Sequence, residues 1–138
     1  MDSPLNDTQI ATLLGEAKTI AVVGLSSNPL RPSFGVSQYL QNSGYRIIPV
    51  NPKETEVLGE KCYGSLLDVP ENIDIVDVFR RSESVPEVVD EAIQKGTRCI
   101  WMQEGVVHEA AAEKAEAAGI CVVMDLCILK EHRRLNRR

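Results

Sequence analysis

The order of elements along the chain predicts an α/β fold: a Rossmann-like, doubly wound parallel sheet of about five strands, in a single domain spanning residues 1–138. Two observations carry this expectation. Five short runs, 19–24, 45–50, 73–79, 98–102 and 120–124, are nearly continuous in valine and isoleucine, the pattern of strands buried on both faces. Helical patterns separate them, and such alternation implies parallel strands joined by right-handed crossovers. No repeat, low-complexity tract or Pro/Gly/Ser-rich linker divides the 138 residues, an ordinary length for one domain.

Each helix has its own signals. Asn6 or Asp7 can cap an opening helix whose Ile10, Leu13, Leu14 and Ala17 share one face. Ser33 is the expected N-cap of a helix over 34–43, with Gly44 after it. A helix over 85–95 sets Val85, Val88, Val89, Ala92 and Ile93 at helical spacing. Ser84 and Glu87 match a capping box before it, and Gly96 supplies the stop. A last helix over 107–118, rich in alanine and glutamate, ends at Gly119.

Composition excludes several function classes. Apolar residues make up 43% and charged residues 25%, the balance of a soluble globular protein. The formal charge is −5, from 15 Lys and Arg against 20 Asp and Glu, and aromatics are 4%. Nucleic-acid binding wants a basic face and often stacking rings, so no nucleic-acid partner is expected. No apolar run reaches the roughly 18 residues that span a bilayer. The opening MDSPLNDTQ carries no basic-then-apolar signal, so the expected location is cytoplasmic. One basic cluster, Lys130, Arg133, Arg134, Arg137 and Arg138, reads either as a solvated, helix-terminating face or as a contact surface.

The four cysteines, at 62, 99, 121 and 127, form no CxxC pair, and His108 and His132 fit no metal-ligand spacing. No metal site and no structural disulfide are therefore expected. Cys99 and Cys121 lie in apolar runs and read as small core residues.

In open parallel sheets ligands bind beyond the carboxyl ends of the strands, so the segments following each run are where a site belongs. After the first come Gly24, Ser26, Ser27, Asn28, Pro29, Arg31 and Ser33. That turn can present backbone amides and hydroxyls to a phosphate at a helix start, with Arg31 adding charge. It also reads as an ordinary connecting loop. It is not the dinucleotide fingerprint GxGxxG, because Ser26 and Pro29 stand where the second and third glycines belong. The second run ends in Pro52 and Lys53. A lysine there suits a phosphorylated ribose, as in coenzyme A or NADP, better than the free ribose of NAD. The third ends in Phe79, Arg80 and Arg81; either arginine can hold a phosphate, or one can pair with Glu83 or Glu87. The fourth leads to Gln103, Glu104 and Gly105. Gly105 permits close backbone approach, Glu104 suits a helix cap or a hydroxyl or amide partner, and Trp101 reads as core.

Five segments in order, VVGLSSNPLRPS, YRIIPVNPK, IDIVDVFRRSESVPEVVDEAI, WMQEGV and AAGICVVMDLCILKEHRRL, resemble the small stand-alone CoA-binding proteins of the YccU-like type. These are in turn similar to the N-terminal CoA-binding domain of the succinyl-CoA synthetase α subunit. The resemblance covers about residues 19–135. It implies a Rossmann-like fold that holds coenzyme A, or an acyl-CoA, along the carboxyl edge of the sheet. The 26–29 loop would face the pyrophosphate or adenosine phosphate and Lys53 the nucleotide phosphates. Segments 79–81 and 103–105 would line the nucleotide and the pantetheine arm. Leu126 stands where relatives are expected to carry arginine. The synthetase's phosphohistidine belongs to a following domain, and this chain ends before one could begin. With no GxSxG, P-loop or HExxH motif either, the reading is binding without evident catalysis. Two alternatives stay open: an NAD(P)-linked oxidoreductase or redox sensor, and an interaction module joining separately encoded acyl-CoA ligase subunits. A homo-oligomer is a further possible assembly.

Overall fold

The computed structural model describes residues 4–135. Five parallel strands form the main sheet: β1 (Thr19–Val23), β2 (Arg46–Val50), β5 (Ile75–Val78), β6 (Cys99–Met102) and β7 (Cys121–Val123), in the order β2-β1-β5-β6-β7. A two-residue pair, β3 (Glu56–Val57) and β4 (Glu60–Lys61), makes a separate antiparallel hairpin. The strands are nearly all buried, as continuous Val/Ile runs require.

Helices cover both faces. On one side α3 (Val85–Lys95) and α4 (Glu109–Ala117) press Val85, Val88, Val89, Ala92, Ala111 and Ala115 against alternate strand residues such as Ala21, Val76 and Ile100. On the other, α1 (Asp7–Glu16), α2 (Pro32–Asn42) and α5 (Ile128–Leu135) pack Leu13, Leu14, Val36, Leu40 and Ile128 against Ile20, Val22, Ile75 and Trp101. Fully buried Trp101 is core, as expected, and its indole N–H donates to the Leu126 carbonyl at 2.8 Å.

One helix start meets the sequence expectation and three differ. Asn6 caps α1 in a full capping box: its side chain accepts from the Gln9 amide at 2.8 Å and its amide donates to Gln9 Oε1 at 2.9 Å. Ser33 is not the cap of α2; the helix starts earlier, with Arg31 at the cap and Pro32 in the first turn, where proline's missing N–H costs nothing. The Ser84–Glu87 capping box does not form, because Ser84 closes a 3-10 turn over Ser82–Ser84 and has αR backbone angles. α4 begins at Glu109 rather than 107, capped by His108, whose Nδ1 accepts from the Ala111 amide at 3.1 Å. The hairpin and α5 were not expected; one is too short for a period to show, and the other lies within the basic run. Leu58 and Gly59 both take positive φ, 55° and 76°, as the two central residues of a tight hairpin turn require.

The basic run folds back on the molecule. Lys130 pairs with Glu104 at 3.1 Å, Arg134 pairs with Asp7 and Glu131, and the Arg133 guanidinium lies over the Tyr39 ring. Arg137 and Arg138 lie outside the described residues. Among those described, no helix is long and apolar enough to cross a membrane, and no group of three or more His, Cys, Asp or Glu could hold a metal ion.

Candidate functional site

The strand order reverses between β1 and β5: from β1 the chain steps outward to β2, then returns across β1 to build β5, β6 and β7. Loops leaving β1 and β5 must therefore diverge, and a crevice opens between them at the carboxyl edge. There the structure has a cavity of about 610 Å³, walled by Gly24, Ser26 and Arg31 to Ser33 after β1, Val36 of α2, Phe79 to Arg81 after β5, Gln103, Glu104 and Val106 after β6, and Cys127. Nine of the sequence-predicted residues thus meet on one wall: Gly24, Ser26, Arg31, Ser33, Phe79, Arg80, Arg81, Gln103 and Glu104. Ser27, Asn28, Pro29, Pro52, Lys53 and Gly105 are not part of it.

Gly24 is a glycine for a packing reason. It has φ of +91°, and a Cβ there would lie 2.1 Å from the Phe79 carbonyl oxygen. The close approach is between the two loops that bound the crevice, so Gly24 sets the width of the site.

The loop after β1 is held from within. The Ser26 amide donates to Ser33 Oγ at 3.1 Å, and Asn28's amide donates to Ser26 Oγ at 3.0 Å. Ser27 donates to Glu54 Oε2 twice, through its amide at 2.8 Å and its hydroxyl at 2.9 Å. Buried Ser33 therefore braces the loop instead of capping the helix. The loop amides expected to cradle a phosphate already have side-chain acceptors, one of them a carboxylate that neither composition nor motif singled out. Lys53 is exposed in the turn that also holds Glu54, its amide donating to Asn51 Oδ1 at 3.0 Å.

Positive charge at the cavity comes from guanidinium groups. Arg31, Arg80 and Arg81 all line it, and none makes a salt bridge among the described residues; the pairing of one arginine with Glu83 or Glu87 does not occur. The wall's single carboxylate, Glu104, is engaged by Lys130, because α5 packs back beside it. That contact replaces the cap or amide partner expected for Glu104. Gln103 is only 5% exposed, and its Oε1 accepts from the Ile128 amide at 3.0 Å, fixing the start of α5 and with it Cys127. Gly105 ties neighbouring loops together, its amide donating to Asp125 at 2.7 Å.

Sequence reasoning passed over Asp77. It sits within β5, two residues before Phe79 and on the same face of the strand, fully buried between Val22 of β1 and Trp101 of β6. Among the described residues neither carboxyl oxygen has a hydrogen-bond partner, nor has the Ser37 hydroxyl of α2. Burial without a partner pushes the Asp77 pKa well above the ordinary carboxylate value. The signal was available, since an aspartate interrupting a buried strand needs explaining.

Comparison with known proteins agrees with this architecture. A model of the CoA binding domain matches residues 18–133. The protein YneT of Bacillus subtilis (strain 168) is 45% identical over 132 residues, covering 96% of this chain and 97% of that one. A solved structure of a hypothetical protein from Pyrococcus horikoshii OT3 superposes with a TM-score of 0.94 at 41% identity, covering 99% of this chain and 98% of that one. The ADP-forming acetate–CoA ligase II of Archaeoglobus fulgidus is 37% identical over 83 residues, which are 59% of this chain but 12% of the ligase. With the domain model matching residues 18–133 and YneT matched almost from end to end, this chain belongs to the CoA-binding domain family.

Proposed function

We propose that the protein binds coenzyme A, or an acyl-CoA, at the carboxyl edge of its sheet and acts by binding rather than by catalysis. The observation that carries this is the ring of Arg31, Arg80 and Arg81 around one cavity, without salt-bridge partners among the described residues. Coenzyme A bears three phosphoryl groups, and guanidinium groups pair with phosphate through two parallel hydrogen bonds. Family membership and the ligase relatives, whose names state CoA as substrate, support the same ligand. In this reading the arginines and Lys53 meet the phosphates, the braced 26–29 loop and Pro52 border the nucleotide, and Phe79, Gln103, Glu104 and Gly105 border the pantetheine arm. A reducing, cytoplasmic compartment suits a chain whose four cysteines are all free thiols.

Isothermal titration calorimetry tests this. Coenzyme A is expected to bind, and Arg80→Ala and Arg81→Ala are each expected to weaken it roughly 10- to 100-fold, the loss of about 1.5–3 kcal/mol for a charged hydrogen bond. No heat with coenzyme A at millimolar concentration, alongside tight binding of NADPH or NADH, would replace this reading with a dinucleotide-linked one.

A further inference from the structure

At the opposite, amino end of the sheet two thiols face each other. Cys99 opens β6, Cys121 opens β7, and the two are direct partners in the parallel register. Neighbouring strands lie about 4.8 Å apart, inside the Cα separation of about 4.4–6.8 Å that a disulfide spans. Both side chains turn to the face covered by α1 and α5, where each thiol perturbs the other's titration; the Cys99 thiol donates to the Ile100 carbonyl at 3.7 Å. Their environments differ. Cys99 is fully buried, and the neighbouring Cys121 thiol, together with burial, raises its pKa. Cys121 is partly exposed, and the neighbouring Cys99 thiol lowers its pKa, helped by the nearby Arg98 guanidinium. One thiol is thus partly open to solvent, and the second lies beside it in the core. That is the arrangement of an attacking cysteine with its resolving partner.

We propose that Cys99 and Cys121 form a reversible dithiol–disulfide couple that reacts with low-molecular-weight disulfides. The Cys121 thiolate attacks one sulfur of the small disulfide; an S–S bond to Cys121 forms, the original S–S bond breaks, and one small thiolate leaves. Cys99 then loses its proton and attacks the Cys121 sulfur, forming the Cys99–Cys121 bond and expelling the second small thiol. The protein gives up two electrons and two protons, and the small disulfide becomes two thiols. The site stands apart from the CoA reading, because the cavity lies beyond the carboxyl ends of the same strands.

The test uses reduced, full-length protein and oxidised glutathione, followed by intact-mass measurement and non-reducing peptide maps with fragmentation. The expected product is a chain lighter by two hydrogen atoms, cross-linked between Cys99 and Cys121 and restored by dithiothreitol. Cys99→Ala, or Cys99→Val where alanine fails to fold, is expected to stop at a glutathione adduct on Cys121. Cys62→Ala is expected to cross-link as wild type does. Folded wild-type protein that accumulates the Cys121 adduct without cross-linking overturns the proposal, as does a cross-link mapped to another cysteine pair.

Discussion

Asp77 is a single side chain whose chemistry sets a property of the whole protein. Its carboxyl is buried with both oxygens unpartnered among the described residues, so its proton is held more tightly in the folded chain than in the unfolded one. The consequence for stability has a definite sign. Above the ordinary carboxylate pKa of 3.8 the unfolded state releases this proton while the folded state keeps it, so the Asp77 contribution falls as pH rises towards the folded value. Asp77→Asn, similar in shape but unable to ionise, is expected to match wild type near pH 4 and to exceed it progressively towards pH 8, by at most about 1.4 kcal/mol per pH unit. Urea denaturation across that range reads the difference directly. Parallel curves for the two proteins would mean that Asp77 is ionised in the fold. Gly24 is the converse case: its role depends on the Phe79 carbonyl against which its missing side chain would lie, a neighbour that is 55 positions away and invisible in the local turn.

At the level of elements, helix ends separate what is local from what is not. The α1 capping box uses Asn6 and Gln9, three residues apart, and local chemistry suffices to foresee its cap. Asn6→Ala is expected to destabilise the protein by about 1 kcal/mol, read as a lower urea midpoint with an unchanged slope. A slope change would point to α1 detaching as a separate unit. The Ser84–Glu87 pattern has the same local form and fails, because the chain leaving β5 enters a 3-10 turn that puts Ser84 in helical angles. The Ser82 hydroxyl in that turn accepts from the Val107 amide at 3.0 Å, a contact with the loop after β6. Ser33 likewise serves the 26–29 loop rather than its own helix. At Ser33 a loop contact took the hydroxyl that local pattern assigned to a cap; at Ser84 the backbone of the 3-10 turn removed the cap geometry.

For the molecule as a whole, the order β2-β1-β5-β6-β7 positions the cavity and gathers arginines from two separate loops onto its wall. A ligand held by several loops couples to global unfolding. At 100 times its dissociation constant, coenzyme A is expected to add about 2.7 kcal/mol of stability, raising the melting temperature by on the order of 10 °C. A differential scan with and without coenzyme A checks this; an unmoved transition counts against binding to the native state. Continuous Val/Ile runs determined by themselves that the strands are buried, parallel and separated by helices, because burial on both faces leaves no room for alternation. They also determined which loops sit at the carboxyl edge, so nine of the predicted residues fall on the cavity wall. Only the tertiary structure decided that Glu54 occupies the Ser27 donors, that Lys130 engages Glu104, and that Cys99 meets Cys121. Each of these depends on which distant segments become neighbours, a matter of strand order and register that no local spacing encodes.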